Sequence, residues 1–306
     1  MKDTVAIKSP SEIGALTIKQ AVIGLEFGQT DEKILAYSQY ITHNIPTAAA
    51  HFVHVVPAPQ LLESFYEDLA SRYDIKASIL QNLDKKINLH FQGQQLIPTY
   101  EAREGHPLKE LLEVVEEQEA DLVIIGQKAK PQEHGIMAKN LARQVKGNAL
   151  VVPEGAPNKI SKILVPIDFS PNSVKAFQTA LALQQQMKEK AQIVCLNVYD
   201  LPNFSSYDVG RNPEQFRQWV VESRKEAFQN FLSAYAPKDQ HDIPTVLVER
   251  KRPGLAHYIL QYAKQEEFDL IVMGAKGHST LERLLMGSVT ERILTQNETL
   301  ATLVVK

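Results

Sequence analysis

Cysteine is nearly absent from this chain: Cys195 is the only one in 306 residues. A lone thiol rules out an intrachain disulfide, and with it the small secreted scaffolds that depend on such bridges. Its neighbours Ile193, Val194 and Leu196 predict a buried, inert side chain. An excess of charge of one sign is missing too. Lysine and arginine number 33 against 36 acidic residues, a formal net charge of −3. That balance gives no electrostatic reason to expect a nucleic-acid or membrane partner, either of which would favour a basic stripe. No apolar run approaches the ~20 residues needed to span a bilayer. Residues 1–11 are polar and lack the apolar core of a secretory leader, so the expected location is the cytoplasm. Tryptophan occurs once, and Trp219, at helical spacing from Phe216 and beside Val220, is expected to pack.

Several kinds of chemistry are missing as well. No Ser-His-Asp or Cys-His arrangement can be placed on strand ends, so covalent catalysis has no support. His51 and His54 lie three apart on a strand and point to opposite faces, which argues against a shared metal site. Asp84, Lys85 and Lys86 carry no motif and read as solvated surface. So does the acidic run from Glu113 to Glu119 at a helix end, where negative charge opposes the dipole. What the chain does have is 44% hydrophobic and 23% charged residues, enough for a sizeable core in two domains of ~100–200 residues each.

The chain is written twice. ADLVIIGQK at residues 120–128 returns as FDLIVMGAK at 268–276, AVIGLEF at 21–27 as ILVPIDF at 163–169, and ALVV at 149–152 as TLVV at 302–305. Three matches in the same order at a slowly drifting offset mark a tandem duplication. Domains are expected over residues 1–153 and 159–306, joined by a short stiff linker through Pro153, Gly155 and Pro157.

Each unit alternates strands with helices. In the second, strands are predicted at 162–167, 191–198, 242–249, 270–273 and 301–305 and helices at 172–190, 213–235, 253–265 and near 281–295. Ser170 and Pro171 read as cap and first turn. In the first, strands are predicted near 19–26, 50–56, 99–103, 122–125 and 150–152. Helices are predicted at 32–42 and 107–119, with a long helical region from Gln60. Strands apolar on both faces between helices predict an α/β fold: two tandem open-sheet domains, each a five-stranded parallel sheet flanked by helices, Rossmann-like.

In such sheets ligands bind beyond the carboxyl ends of the strands, and Gly274 follows the strand at 270–273 directly. Gly274 and Gly277 have no side chain to hold a phosphate away from the backbone, so nearby N–H groups can converge on anionic oxygens. Lys276 supplies a cation. Gly287, with Ser288 and Thr290 as hydroxyl donors, stands near the start of a helix, whose positive dipole end favours an anion. The Gly-Lys-Ser/Thr ending of a Walker A loop is absent.

Residues 272–290, VMGAKGHSTLERLLMGSVT, resemble the ATP-binding signature of universal stress proteins, and the order of elements over 161–306 agrees. The resemblance implies a fold of the adenine nucleotide alpha hydrolase-like kind. It also implies a base and ribose pocket at Pro166, Asp168 and Val198, with phosphate and ribose contacts at Met273, Gly274, Gly277, Gly287, Ser288, Val289 and Thr290. The implied ligand is an adenine nucleotide (ATP, ADP or AMP, with or without Mg). His278 lies inside the loop, where phosphate contact and solvent exposure are both open readings. The first unit departs from the pattern: Gly24-Leu-Glu26 stands for Pro166-Ile-Asp168, no glycine follows three after Gly126, and Lys139-Asn140 replaces the Gly-Ser pair. It is read as a degenerate copy without ATP. The resemblance further implies that the final strands, 150–152 and 302–305, pair within the chain, with a homodimer as a further expectation. The leading expectation is a stress-response protein switched by a nucleotide in its C-terminal half. Nothing identifies a general base or arginine finger. A slow ATPase and an interaction module with no nucleotide are the competing readings.

Overall fold

The computed structural model describes residues 16–57, 75–93, 96–128, 136–201, 213–237, 242–277 and 286–306. They form two compact units, Leu16–Lys159 with Leu294–Val304, and Ile160–Ile293 with Val305–Lys306.

The first unit runs β1 (Ile18–Leu25), α1 (Thr30–Asn44), β2 (Thr47–Pro57), α2 (Ile75–Phe91), β3 (Thr99–Gly105), α3 (Pro107–Glu117), β4 (Leu122–Gln127), α4 (Ile136–Gln144) and β5 (Asn148–Pro153). These strands are all parallel, in the order β3-β2-β1-β4-β5. Residues of β10 (Ala301–Val305) join β5 antiparallel, with Thr302 opposite Val151, Leu303 opposite Leu150 and Val304 opposite Ala149.

The second unit runs β6 (Lys162–Pro166), α5 (Pro171–Gln186), β7 (Gln192–Tyr199), α6 (Pro213–Tyr235), β8 (Thr245–Glu249), α7 (Leu255–Gln265), β9 (Leu270–Gly274) and α8 (Ser288–Gln296). Its parallel order is β9-β6-β7-β8. Both units show the α/β arrangement of a parallel sheet with flanking helices. In each, the chain steps outward from its first strand for two strands and then returns to the other side. The crevice where the order reverses lies between β1 and β4, and between β6 and β9, the position where ligands settle in open α/β sheets.

The apolar runs explain the layers. Every residue of β9 and β10 is buried, and Ile163, Leu164 and Val165 of β6 are fully so. Such strands need cover on both faces, which the crossover helices provide. On α5 the helical spacing of Val174, Phe177, Ala180, Leu181 and Leu183 faces the core. Ser170 caps this helix, its Oγ accepting the Ser173 N–H at 3.2 Å, with Pro171 at the first position. The helix ends at Gln186, short of the expected Lys190. Met187 turns extended (ψ 135°) and buries its side chain, and Gln184 Nε2 reaches back to the Ala191 carbonyl at 2.6 Å.

Other expectations change. Helix α4 was not anticipated, because only Ala138, Leu141 and Ala142 of its nine residues are buried, a weak periodic signal. The part of the long helical region before Ile75 lies outside the described residues. So do His278 and the front of the helix expected near residue 281. Trp219 is 66% exposed, which corrects the packing expectation. The buried stripe of α6 passes through Val220, Phe228 and Phe231, and Trp219 stands one residue, about 100°, round from it. Phe216 lies beside Trp219, ring centroids 5.8 Å apart.

Cys195 is fully buried, and burial pushes its thiol well above the ordinary range. Iodoacetamide should leave native Cys195 unmodified at neutral pH and alkylate it fully in denaturant. Labelling of the folded protein, read by intact mass, would contradict this placement.

Candidate functional site

The turn from β6 into α5 sets the first wall of the site. Asp168 lies just beyond Pro166, and its Oδ1 accepts the Ser170 N–H at 3.0 Å. Between them Phe169 has φ 64°, a left-handed conformation that costs a bulky residue roughly 1–2 kcal/mol. The other Asp168 oxygen, Oδ2, faces Gly277 so closely that a Cβ there would stand 2.6 Å from it. This is why glycine occupies 277. Gly274 is glycine for a different reason, since a Cβ would come within 2.8 Å of the Asn172 main chain at the start of α5.

The second wall is the loop after β9 and the start of α8. Ala275 N–H donates to the Val305 carbonyl and Gly287 N–H to the Ala275 carbonyl, both at 2.8 Å. Ala275 and Gly287, either side of the loop, are therefore joined directly. The first bond of α8 runs from Glu291 N–H to the Gly287 carbonyl at 3.0 Å. The N–H groups of Ser288, Val289 and Thr290 precede that ladder and carry the positive end of the helix. Thr290 corrects one expectation. Its hydroxyl donates to the Gly274 carbonyl at 3.0 Å, deep in the structure, so it braces the loop and offers its backbone N–H rather than its hydroxyl proton.

These two walls border a cavity of about 250 Å³ at the carboxyl ends of β6 and β9. Pro166, Asp168, Val198, Met273, Gly274 and Lys276 line it, as do Gly277, Gly287, Ser288, Val289 and Thr290. The sequence reading missed Ile167, Ser173 and Leu196, and also Leu255 and Ile259 of α7. Leu196 was readable in principle, two residues before Val198 and so on the same strand face. Leu255 and Ile259 sit at i, i+4 spacing, which marks a helix face but not what that face covers.

The cavity lining is chemically mixed. Leu196, Val198, Leu255, Ile259 and Met273 are apolar, Asp168 is acidic, and Lys276 is basic, with the first residues of α8 also in the lining. Lys306 is half-buried, its ammonium is disfavoured by desolvation and then by Lys276, and its carbonyl accepts from Lys175 Nζ at 3.3 Å. Among the described residues, no cluster of three or more His, Cys, Asp and Glu side chains could hold a metal ion, and no helix is long and apolar enough to cross a membrane.

The first unit fills the equivalent place differently. Glu26, in the position of Asp168, forms an ion pair with Lys128, in the position of Lys276. Gly126 lies under Ile34, whose Cδ1 would be 2.7 Å from an added Cβ. Gln127 is buried and donates to the Asn297 carbonyl at 2.9 Å. Asp31, fully buried, accepts the Glu26 N–H at 3.0 Å and pairs with Lys86 at 3.2 Å, while Asp84 accepts the Tyr100 hydroxyl at 2.9 Å. Asp84 and Lys86 are thus fold contacts and not the solvated surface expected. Replacing Asp31 with Ala should cost about 2 kcal/mol, because the Glu26 N–H loses its acceptor while Lys86 stays partly hydrated. An unchanged urea midpoint for Asp31→Ala would remove that role. His51 and His54 do face apart, as expected. His51 bridges Thr99 Oγ1 (2.8 Å) and Glu101 Oε1 (3.1 Å), and His54 Nδ1 donates to the Leu25 carbonyl at 2.9 Å. The acidic run does reach the surface, where Glu117 pairs with Arg103 and Glu116 with Lys146. A larger opening of about 650 Å³, bordered by Ile18, Thr47 and Gly93, lies at the amino ends of β1 and β2, away from the switch point.

The same pattern recurs in known proteins. The family model described as "Universal stress protein family" matches residues 17–153 and again 159–306. Universal stress protein MJ0531 of Methanocaldococcus jannaschii is 31% identical over 149 residues, 49% of this chain and 84% of its own length. Universal stress protein MJ0577 of the same organism is 27% identical over 150 residues, 44% of this chain and 87% of its own. Among solved structures, a universal stress protein from Archaeoglobus fulgidus has a similar fold with TM-score 0.61 at 14% identity, covering 94% of this chain and 96% of that one. The Pseudomonas aeruginosa protein PA1789, described as functionally unknown, has TM-score 0.66 at 16% identity, covering 94% and 92%. With a family match to each half of the duplication, the chain belongs to the universal stress protein family as a tandem of two such domains.

Proposed function

We propose that the second unit binds an adenine nucleotide and that its occupancy acts as a switch read by a protein partner in a cytoplasmic stress response. One observation carries this reading: apolar, acidic and basic groups, together with a helix N-terminus, line one cavity at the carboxyl ends of the strands. The apolar residues suit a base, the Asp168 carboxylate accepts from ribose hydroxyls, and Lys276 with the first N–H groups of α8 suits phosphates. The first unit takes no nucleotide in this account, since the Glu26–Lys128 pair already occupies the corresponding position.

The titratable side chains lining the cavity are Asp168 and Lys276. Among the described lining residues Asp168 is the one carboxylate, so an Mg ion bound with the nucleotide would draw most of its ligands from phosphate and water. Asp168 is held through Oδ1 by the Ser170 N–H, while Oδ2 lies beside Gly277. In this reading binding is the function and any hydrolysis is slow.

The test is mass spectrometry of small molecules released when the purified protein is denatured, followed by titration of the emptied protein with ATP, ADP and AMP. Recovery or binding of an adenine nucleotide supports the proposal. No recovery together with no binding at millimolar nucleotide leaves an interaction module. Mg-dependent hydrolysis faster than ~1 s⁻¹ makes it an enzyme.

A further inference from the structure

Asp168 is a short side chain at a strand end, so its aim is set by the backbone around it. Phe169 supplies the turn. Its φ of 64° lies where bulky residues are rare, and the step brings Ser170 N–H onto Asp168 Oδ1 at 3.0 Å while Oδ2 faces Gly277. The Phe169 ring is itself clamped. It meets Phe228 edge-on (5.2 Å, 71°) and Phe231 likewise (6.0 Å, 70°), both from α6. Those two rings are 2% and 5% exposed and cannot give way without opening the core.

The first unit provides an internal comparison. Phe27 also has a left-handed backbone, φ 55°, so the step belongs to the strand-to-helix turn in both units. Its anchoring differs. Phe27 tilts over His54 at 4.2 Å with Lys86 above the ring, and the preceding Glu26 is tied to Lys128. The step alone makes no ribose ligand; the step with an aromatic clamp and a facing glycine does.

We infer that Phe169 is a positioning residue: clamped by Phe228 and Phe231, it holds the strained turn that aims Asp168 at the ribose hydroxyls, and so sets the site's preference for ribose over deoxyribose. The same clamp ties α6 to the ligand, since any shift of Phe228 or Phe231 moves the turn that carries Asp168. The inference rests on the nucleotide reading of this cavity.

Affinities for ATP and 2′,3′-dideoxy-ATP test it in the full chain, with wild type, Phe169→Gly, Phe169→Leu and Phe228→Leu. Wild type should prefer ATP by about 10-fold or more, the scale of one charge-assisted hydrogen bond. Phe169→Gly and Phe228→Leu should bring the preference down to about 2-fold or less, with dideoxy-ATP affinity unchanged. Phe169→Leu keeps an apolar side chain and should fall between, and it carries the test if circular dichroism shows the glycine variant unfolded. Adding Asp168→Asn to Phe169→Gly should cause no further loss. Folded variants that keep the wild-type preference overturn the inference, and so does an equal loss for both nucleotides, which a merely structural role would give. Wild type binding both nucleotides equally overturns the inference alone, whereas wild type binding neither overturns the nucleotide reading and the inference with it.

Discussion

Gly277→Val is expected to lower ATP affinity by about 100-fold while the protein stays folded. An added Cβ would lie 2.6 Å from Asp168 Oδ2, and the next Asp168 atom is 3.8 Å away, so the substitution meets the movable end of one side chain and not main chain. The carboxylate swings aside and loses the ribose, and the valine crowds the amides that receive phosphate. A charge-assisted hydrogen bond contributes about 1.5–3 kcal/mol, and a loss of about 3 kcal/mol in all corresponds to the 100-fold drop. Isothermal titration checks the affinity and a thermal scan the fold. Two neighbours sharpen the result. Gly274→Ala should unfold or strongly destabilise the unit, because its Cβ would meet the Asn172 backbone at 2.8 Å. Gly28→Ala in the first unit should change nothing, since its Cβ meets only side-chain atoms at 3.7 and 3.9 Å. If Gly277→Val binds ATP as wild type does, the ligand does not lie between Asp168 and the loop.

Phe177→Ala is expected to cost about 3–5 kcal/mol, the usual range for emptying a fully buried aromatic position. Phe177 is 0% exposed and packs its ring on Phe231 at 5.2 Å. Phe231 in turn touches Phe169 and Tyr235, so the deletion leaves a hole beneath the same cluster that holds the site turn. For a unit of this size the loss corresponds to a fall of roughly 10 °C in its melting temperature. Because two units can unfold separately, the transition to follow is the one that ATP raises. A drop below ~1 kcal/mol would show that the core closes over the missing ring and that the cluster is not rigid.

Much of this structure was legible in the residues. The duplication, the Ser170 cap and the strands expected at 162–167 and 270–273 follow from patterns local in sequence, where period and capping chemistry act. The site residues that motif spacing picked out meet at one cavity because the switch point brings the ends of β6 and β9 together. What escaped was set by tertiary contact. Leu255 and Ile259 carry an ordinary amphipathic pattern, and only the packing of α7 makes them a cavity wall. The left-handed step at Phe169 has no signature, since phenylalanine disfavours it, and its recurrence at Phe27 ties it to the strand-to-helix turn of each unit. Lys86 looked solvated because its partner Asp31 is distant in sequence and buried beneath a turn. Trp219 erred in the opposite direction. Helical spacing placed it beside apolar residues without saying on which side of α6 the core lay.

The central claim is that one half of the tandem holds a nucleotide and the other, with Glu26 and Lys128 paired at the corresponding position, does not. Stoichiometry tests this most directly, by isothermal titration of the emptied full-length chain with ATP. The account predicts one ATP per chain, removed by Gly277→Val. Two equivalent sites per chain, or a single site that survives Gly277→Val, would contradict it.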